Sequence, residues 1–308
     1  MTNDSHLFKS SDELERDKFY LVERNIYKKG NVKYLPLYEG KMVQMYDHRA
    51  ANVEINPENI HRPAQEKPTT LKQHINQNYT PNPQFWVNEK DLDNFFDSGK
   101  PSWLLVFKNI TSPTNVRSFI CSPIPLCGVG NSMTLTMFAP ERMLSSPALV
   151  ANLASFVFDF AARQKIGGQN LNFFVVNQFP VLPPEKYDEE FHGKKLIDII
   201  SPKVLELCYT AHDLAGFAKD MGYVDKKGNV LEPFKWDSER RFHLRCQLDA
   251  LYFILYGLDT GEAREILKTF PVVKREDEKR YGRYRTRDLI IAYMNAYAAG
   301  DLDVWVEG

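Results

Sequence analysis

FAARQKIGGQNLNFFVVNQFPVLPP, residues 160 to 184, is the stretch on which the reading of this chain turns. Arg163, Gln164 and Lys165 run into Gly167 and Gly168, then into an Asn/Gln-rich aromatic run, then into Pro183 and Pro184. Glycine turns cradle phosphate when they open a helix, often beside a Lys-Ser/Thr pair. Here the glycines follow a helical pattern and no Lys-Ser/Thr comes after them, so they end a helix instead. Upstream, Leu149, Leu153, Phe156, Phe160 and Ala161 recur at helical spacing. Ser146 suits the N-cap, Pro147 the first helical position and Gly167 the left-handed residue past the end. The pattern predicts one helix over 147–165, a turn at Gly167-Gly168, a strand in Phe173–Val176 and a domain border at the prolines.

On the N-terminal side of that border the chain reads as short strands and turns. FYLVERNIYKKGNVKYLPLY (19–38) alternates around a Lys-Lys-Gly-Asn turn, and WLLVFKNI (103–110) and RSFICSPI (117–124) have the composition of buried strands. Prolines at 57, 63, 68, 81 and 83 predict a long irregular segment over 55–83. On the C-terminal side, periodicity predicts helices over 201–220, 238–256 and 260–269. Asp259 and Glu262 form a capping box for the third, Pro271 closes it, and Thr286 caps a last helix ending near Gly300. The expected fold class is α+β: a mixed α/β domain with a twisted sheet over residues 1–185, then an all-helical region over 186–308.

The 308 residues are 43% hydrophobic, enough for a substantial packed core. A formal net charge of -1 argues against polyanion binding through a bulk excess of Lys and Arg, and leaves room for a local basic face. The four cysteines show no CxxC spacing and the histidines no HExxH, so free thiols in a reducing compartment and no structural zinc are expected. The polar N-terminus has no apolar core of a signal peptide. The apolar run from Ala148 to Phe160 is interrupted by Asn152, Ser155 and Asp159 and is too short to span a bilayer. A soluble, cytoplasmic protein without a membrane partner is the expectation.

Three short matches touch catalytic chemistry. Asn82-Pro83-Gln84-Phe85 is one residue from the Asn-Pro-Pro-Tyr/Phe element of amino-methyltransferases, in which Asn and a proline carbonyl accept from the target amine. Gln84 replaces the second proline, and the alternative is a turn before Phe85-Trp86-Val87. Gly128-Val129-Gly130 lacks the third glycine and the βαβ frame of a dinucleotide site and reads as a loop or bulge. Glu39-Gly40-Lys41 matches half of a nuclease metal site, with no acidic partner at a recognisable spacing.

Several stretches taken together are similar to one family. LPLYEGKMVQMYDHRAA (35–51), WLLVFKNITSPTNVRSFICSPIP (103–125), GVGNS (128–132) and the 160–184 stretch resemble the C-terminal half of adenine-N6 DNA methyltransferases. The type is the large single-chain restriction-modification enzyme, Type IIG or Type I-like. VLELCYTAHDLAGFAKDMGY (204–223), PFKWDSERRFHLRCQLDALYFILYGL (233–258) and ILKTFPVVKREDEKRYGRYRTRDLII (266–291) resemble the tail of the same proteins, in the same order. In that family the AdoMet-binding catalytic domain lies upstream, and this chain begins where it would end. The resemblance therefore implies a sequence-specific DNA recognition module with no cofactor of its own. AdoMet is expected on a missing or separate methyltransferase catalytic domain or subunit, and double-stranded DNA is the expected partner.

Base reading needs side chains with paired donors and acceptors, while others hold phosphates. The candidate DNA contacts fall into four groups. Arg163, Gln164, Lys165, Gln169, Asn170 and Asn172 flank the two glycines. Lys108, Asn115 and Arg117, with Asn109 and Thr114, lie on a strand-turn-strand. Lys41, His48 and Arg49 form a third group, and Asn131 with Ser132 a fourth. Each has a structural alternative. Arg163 and Lys165 complement a helix C-terminus, Asn115 closes a turn, and Asp47-His48-Arg49 forms an internal network. Arg240, Arg241 and Arg245 read as a solvated helix face or as phosphate holders. Two rival functions remain beside DNA recognition: a scaffold that docks a methyltransferase or restriction subunit without touching DNA, and an enzyme using Asn82–Phe85 or Glu39–Lys41.

Overall fold

The chain folds as an α+β protein whose two compact units interleave in sequence. The computed structural model describes residues 4–56, 58–59, 64–96, 99–112, 115–168 and 170–307. One unit comprises residues 1–110, 121–137 and 208–235; the other comprises 111–120, 138–207 and 236–308. The contacts therefore do not divide at residue 185. Two segments, 111–120 and 208–235, each leave their neighbours in sequence for the opposite unit.

The first unit is built on sheets. The hairpin read from the alternating residues is present, Ile26–Lys29 against Val32–Tyr38, with Tyr27 opposite Tyr34. Val32–Tyr38 pairs on its other edge with Trp86–Asn88, and Gly128–Val129 joins it in parallel, the one parallel pairing among the described strands. A Cβ on Gly128 would lie 2.6 Å from Val87 Cγ2, so the Gly-Val-Gly run is a strand that approaches its neighbour closely. A second sheet sets Trp103–Lys108 between Cys121–Pro125 and Met133–Thr136. Trp103 to Phe107 are all buried, as the apolar run predicts. Leu104, Val106, Ile124 and Met133 meet Tyr38, Met42 and Val53 in the core. The 55–83 segment is more regular than its prolines suggest: Ala51–Ile55 pairs with Ala64–Pro68, and Leu71–Ile75 is a helix with a Thr70/Gln73 capping box. Pro68 ends an edge strand, a position at which the missing N–H costs no ladder bond. Pro57 and Pro63 lie outside the described residues.

The segment 208–235 returns to this unit. The predicted 201–220 helix is broken: Leu196–Cys208 ends before Tyr209, and Ala215–Asp220 is separate. Trp103 Nε1 donates to Asp220 Oδ2 at 2.9 Å, and Gln77 Nε2 to the Pro233 carbonyl at 2.6 Å. Gly216 lies against Ser102, where a Cβ would come within 2.6 Å of the Ser102 Cβ.

The second unit is mainly helical. Ser238–Leu255 packs on Arg285–Ala298, and Thr260–Lys268 carries the predicted Asp259/Glu262 capping box. Thr286 does not cap the last helix; it lies in its first turn, and its N–H donates to Asp277 Oδ2 at 2.6 Å. The hairpin Glu190–Phe191 with Lys194–Lys195 interrupts the region read as all-helical. The single helix predicted over 147–165 is two, Ser146–Ala154 and Phe156–Arg163, bent by 60°. Ser155 causes the break. Its backbone is extended, its hydroxyl accepts from Phe158 N, and the Phe156 N–H freed by the kink donates to Asp249 Oδ1 at 2.7 Å. Among the described residues, no single helix is long and apolar enough to cross a membrane.

Candidate nucleic-acid interface

The 160–184 stretch contains no acidic residue, although the chain carries 40 Asp and Glu. Three apolar side chains fix it in place: Ile166, Leu171 and Phe179 are buried in the helical unit. Phe179 meets Phe119 and Phe158 edge-on, with centroids 6.0 and 5.6 Å away. Asn152 holds the far end. Its Oδ1 accepts from Leu182 N at 3.0 Å, and its Nδ2 donates to Tyr256 Oη at 2.8 Å. Between these anchors the chain faces outward. Gln164, Lys165, Asn170, Asn172, Asn177 and Gln178 are exposed, and Gln169 lies outside the described residues.

Two readings of this stretch change. Gly167 and Gly168 are not left-handed, so they do not form the C-terminal cap that the sequence suggests. Phe173–Val176 is a short helix, not a strand. Short apolar runs satisfy either period, and here the carbonyl of Asn172, at the extended N-cap, accepts from Val175 N and Val176 N at 2.9 and 3.1 Å. The helix buries none of its residues. Phe173 and Phe174 keep 69% and 67% of their surface exposed, two uncovered rings that follow Asn172 and precede Asn177 and Gln178 in the chain.

In the sheet unit the fold gathers groups that are remote in sequence. Asn109 N donates to the Ser132 carbonyl at 2.9 Å, Asn109 Nδ2 to the Asn131 carbonyl at 3.4 Å, and Gly40 N to Ser132 Oγ at 2.8 Å. Lys41, beside that last contact, pairs with Glu39 at 3.1 Å and donates to the Ala64 carbonyl. Lys108 is half-buried, and burial pushes its ammonium down to about 8 against the favourable charge of Glu66. Asn131 is exposed. This set offers one exposed amide, a Lys41 already engaged with Glu39 and a half-buried Lys108, a modest surface for an anion.

The other predicted contacts turn inward. Arg49 is fully buried, and its guanidinium donates to the carbonyls of His74, Asn76, Tyr79 and Thr210 and to Thr210 Oγ1, all at 2.9 to 3.2 Å. His48 is 1% exposed and lies 2.9 Å from Asp213 Oδ1; Asp47 accepts from Arg49 N and meets His74. Asp47-His48-Arg49 is thus the internal network of the two alternatives. Arg117 is buried against Asp159, 3.0 Å away, with its guanidinium 4.0 Å from the centre of the Phe156 ring. Arg163 folds back on its own unit: it donates to Ser118 Oγ and to the carbonyls of Asn115, Val116 and Thr269, and stacks over Phe270. Four of its five N–H donors are spent on these bonds, which leaves little for phosphate or base edges. Asn115 is exposed and its N–H donates to the Ser112 carbonyl at 3.1 Å; Thr114 lies outside the described residues. Arg240, Arg241 and Arg245 do not share one solvated face. Arg241 is buried, stacked on Trp236 at 3.7 Å with a hydrogen bond to the Leu207 carbonyl, whereas Arg240 pairs with Glu206 and Arg245 is exposed.

The residues that sequence reading missed are Phe173, Phe174, Asn177 and Gln178. The signal available was the absence of acids over 25 residues, which charge composition shows without any motif. Among the described residues, no three His, Cys, Asp or Glu side chains gather as a metal site, and the four cysteines are buried free thiols. Comparisons with family models, with curated proteins and with solved structures returned no match.

Proposed function

We propose that this chain is a sequence-specific DNA recognition module of a restriction-modification adenine-N6 methyltransferase, acting with an AdoMet-dependent catalytic domain carried elsewhere. The observation that carries the reading is the stretch from Gln164 to Gln178, anchored at both ends, exposed at most of its polar side chains and without an acidic residue of its own. Asn and Gln pair with adenine edges, lysine neutralises phosphate, and an exposed aromatic pair stacks on or wedges between bases. A stretch with no carboxylate of its own adds no local repulsion toward a polyanion.

The test is fluorescence anisotropy with labelled duplexes over a salt series, after enrichment of a preferred sequence from a randomised pool. The reading predicts affinity that falls as salt rises, and Lys165→Ala makes that slope shallower by roughly one released counterion. Phe173→Ala with Phe174→Ala weakens duplex binding at least tenfold. Binding with neither salt dependence nor sequence preference overturns the reading. The same uncovered rings and the net charge of -1 favour a second reading, a scaffold that docks a methyltransferase or restriction subunit without touching DNA. No duplex binding at any salt concentration, with capture of a purified methyltransferase subunit that depends on Phe173 and Phe174, would select it.

A further inference from the structure

The sheet unit carries a cleft that no sequence motif marks. Its rim is the turn at Glu23-Arg24-Asn25, where Arg24 (φ 61°) and Asn25 (φ 54°) are consecutive left-handed residues without being glycine. Such backbone is unfavourable and persists where the surroundings hold it. The holders are identifiable: Asn25 Nδ2 donates to the carbonyls of Thr80 and Pro81 at 3.2 and 2.9 Å, and Trp86 Nε1 donates to the Asn25 carbonyl at 2.7 Å. Arg24, Thr80 and Asp213 line both parts of the cleft. The mouth, of about 460 Å³, adds Glu23, Asn78 and His212; the recess, of about 130 Å³, adds Pro36, Pro81, Pro125 and Leu126.

The chemistry of the lining is mixed. Arg24 and Glu23 are exposed, and neither has a hydrogen-bond or ion-pair partner among the described residues. Asp213 is held by His48 through Oδ1, while its buried Oδ2 has no partner. Burial pushes the Asp213 carboxyl up, but His48 and then Arg49 and Arg24 outweigh it and keep the group below its ordinary value, so a carboxylate stands there. Two carboxylates beside one guanidinium repel a phosphate. A flat, uncharged body with an acceptor edge for arginine and a donor edge for carboxylate suits both the polar mouth and the proline-walled recess. Guanine has that pattern: O6 and N7 accept from an arginine, and the N1–H and N2 amine donate to a carboxylate.

We propose that this cleft binds a guanine base, with Arg24 on its O6/N7 edge and Glu23 on its N1/N2 edge. The base comes from a free nucleoside or from a guanine unstacked out of a duplex. The second source rests on the DNA-recognition reading; the first does not.

The experiment titrates guanosine, inosine and adenosine into the full chain by calorimetry. In parallel it measures duplexes that carry one guanine either paired or opposite an abasic site. Guanosine is expected to bind at least tenfold tighter than adenosine, with inosine between them for want of the N2 amine. Arg24→Ala, at an exposed position, should abolish that preference without lowering the thermal midpoint. If the source is DNA, the unpaired guanine is preferred at least tenfold and Arg24→Ala removes the preference. Guanosine binding with no duplex binding upholds the cleft and sinks the DNA reading. Duplex binding with no guanine preference in either arm, or a guanine preference that Arg24→Ala leaves intact, overturns the proposal and leaves the DNA reading standing.

Discussion

Arg49 in the sheet unit and Asp159 in the helical unit do the same job with opposite charge. Each is fully buried, and each recaptures a segment that the chain has carried away. Arg49 is a donor hub: it ties Thr210, at the start of the returning 208–235 segment, to the carbonyls of 74–79. Asp159 is an acceptor hub: its carboxylate takes the N–H groups of Ser118 and Phe119 and the guanidinium of Arg117, which fastens 111–120 to the helix Phe156–Arg163. The difference lies in how the charge is met. Arg49 is neutralised by carbonyl dipoles, with Asp47 and Asp213 nearby on histidines of their own, whereas Asp159 faces a full opposite charge. Removing an ion that is met by dipoles frees acceptors with spare lone pairs. Removing one that is met by a counter-ion strands that counter-ion in the core.

That contrast orders the expected effects. Asp159→Ala should cost most, about 3–5 kcal/mol, because it leaves Arg117 buried and unpaired. Urea denaturation should show the loss, and a cost below that of Arg49→Met would break the argument. Arg49→Met follows, at about 2–3 kcal/mol, since its lost bonds contribute of order 1 kcal/mol each and the guanidinium's own desolvation is relieved. Amide hydrogen exchange should show the damage concentrated in 208–220 and 74–79; uniform loss of protection would refute the hub.

Asp249 sharpens the same point within the helical unit. It is buried, and burial pushes its carboxyl up to about 6, against the pull of Arg117. The protonated form is thus favoured by folding. The stabilisation is present below the ordinary carboxyl range near 4 and is lost as pH rises through about 6. By pH 7 the ionised group costs about 2–3 kcal/mol relative to its protonated state, at about 1.4 kcal/mol per unit. Asp249→Asn, which keeps an acceptor for Phe156 N, should therefore raise the thermal midpoint at pH 7.5 and leave it nearly unchanged at pH 4. Equal shifts at both pH values would contradict the assignment. The smallest effect is expected at the surface: Phe174→Ala should change folding stability by less than about 0.5 kcal/mol, since the ring is two-thirds exposed. A larger loss would mean that the ring is structural and not available to a partner.

What could be read in advance was whatever repeats or caps locally. The hairpin around Gly30, the buried strand Trp103–Lys108, the helix Ser238–Leu255 and the Asp259/Glu262 box all follow from neighbouring residues. Where local patterns were ambiguous, the reading slipped. An apolar run with Ser155 inside it passed for one helix, and Phe173–Val176 passed for a strand, because a short apolar run fits both periods. The candidate site was legible only in part. Lys165, Asn170 and Asn172 are exposed as a contact requires, while His48, Arg49 and Arg117 are buried and the half-buried Arg163 is bonded to its own unit.

The sequence by itself determined the α+β class, most element positions and the acid-free composition of 160–184, all properties set by residues close along the chain. Tertiary structure alone decided which polar groups are buried, which of two units claims 111–120 and 208–235, and that Arg24 and Asp213 share a cleft. Those outcomes depend on partners that lie tens to nearly two hundred residues away. An arginine reads the same in the sequence whether carbonyls surround it or water does; only the packing that removes the water separates a core hub from a binding residue.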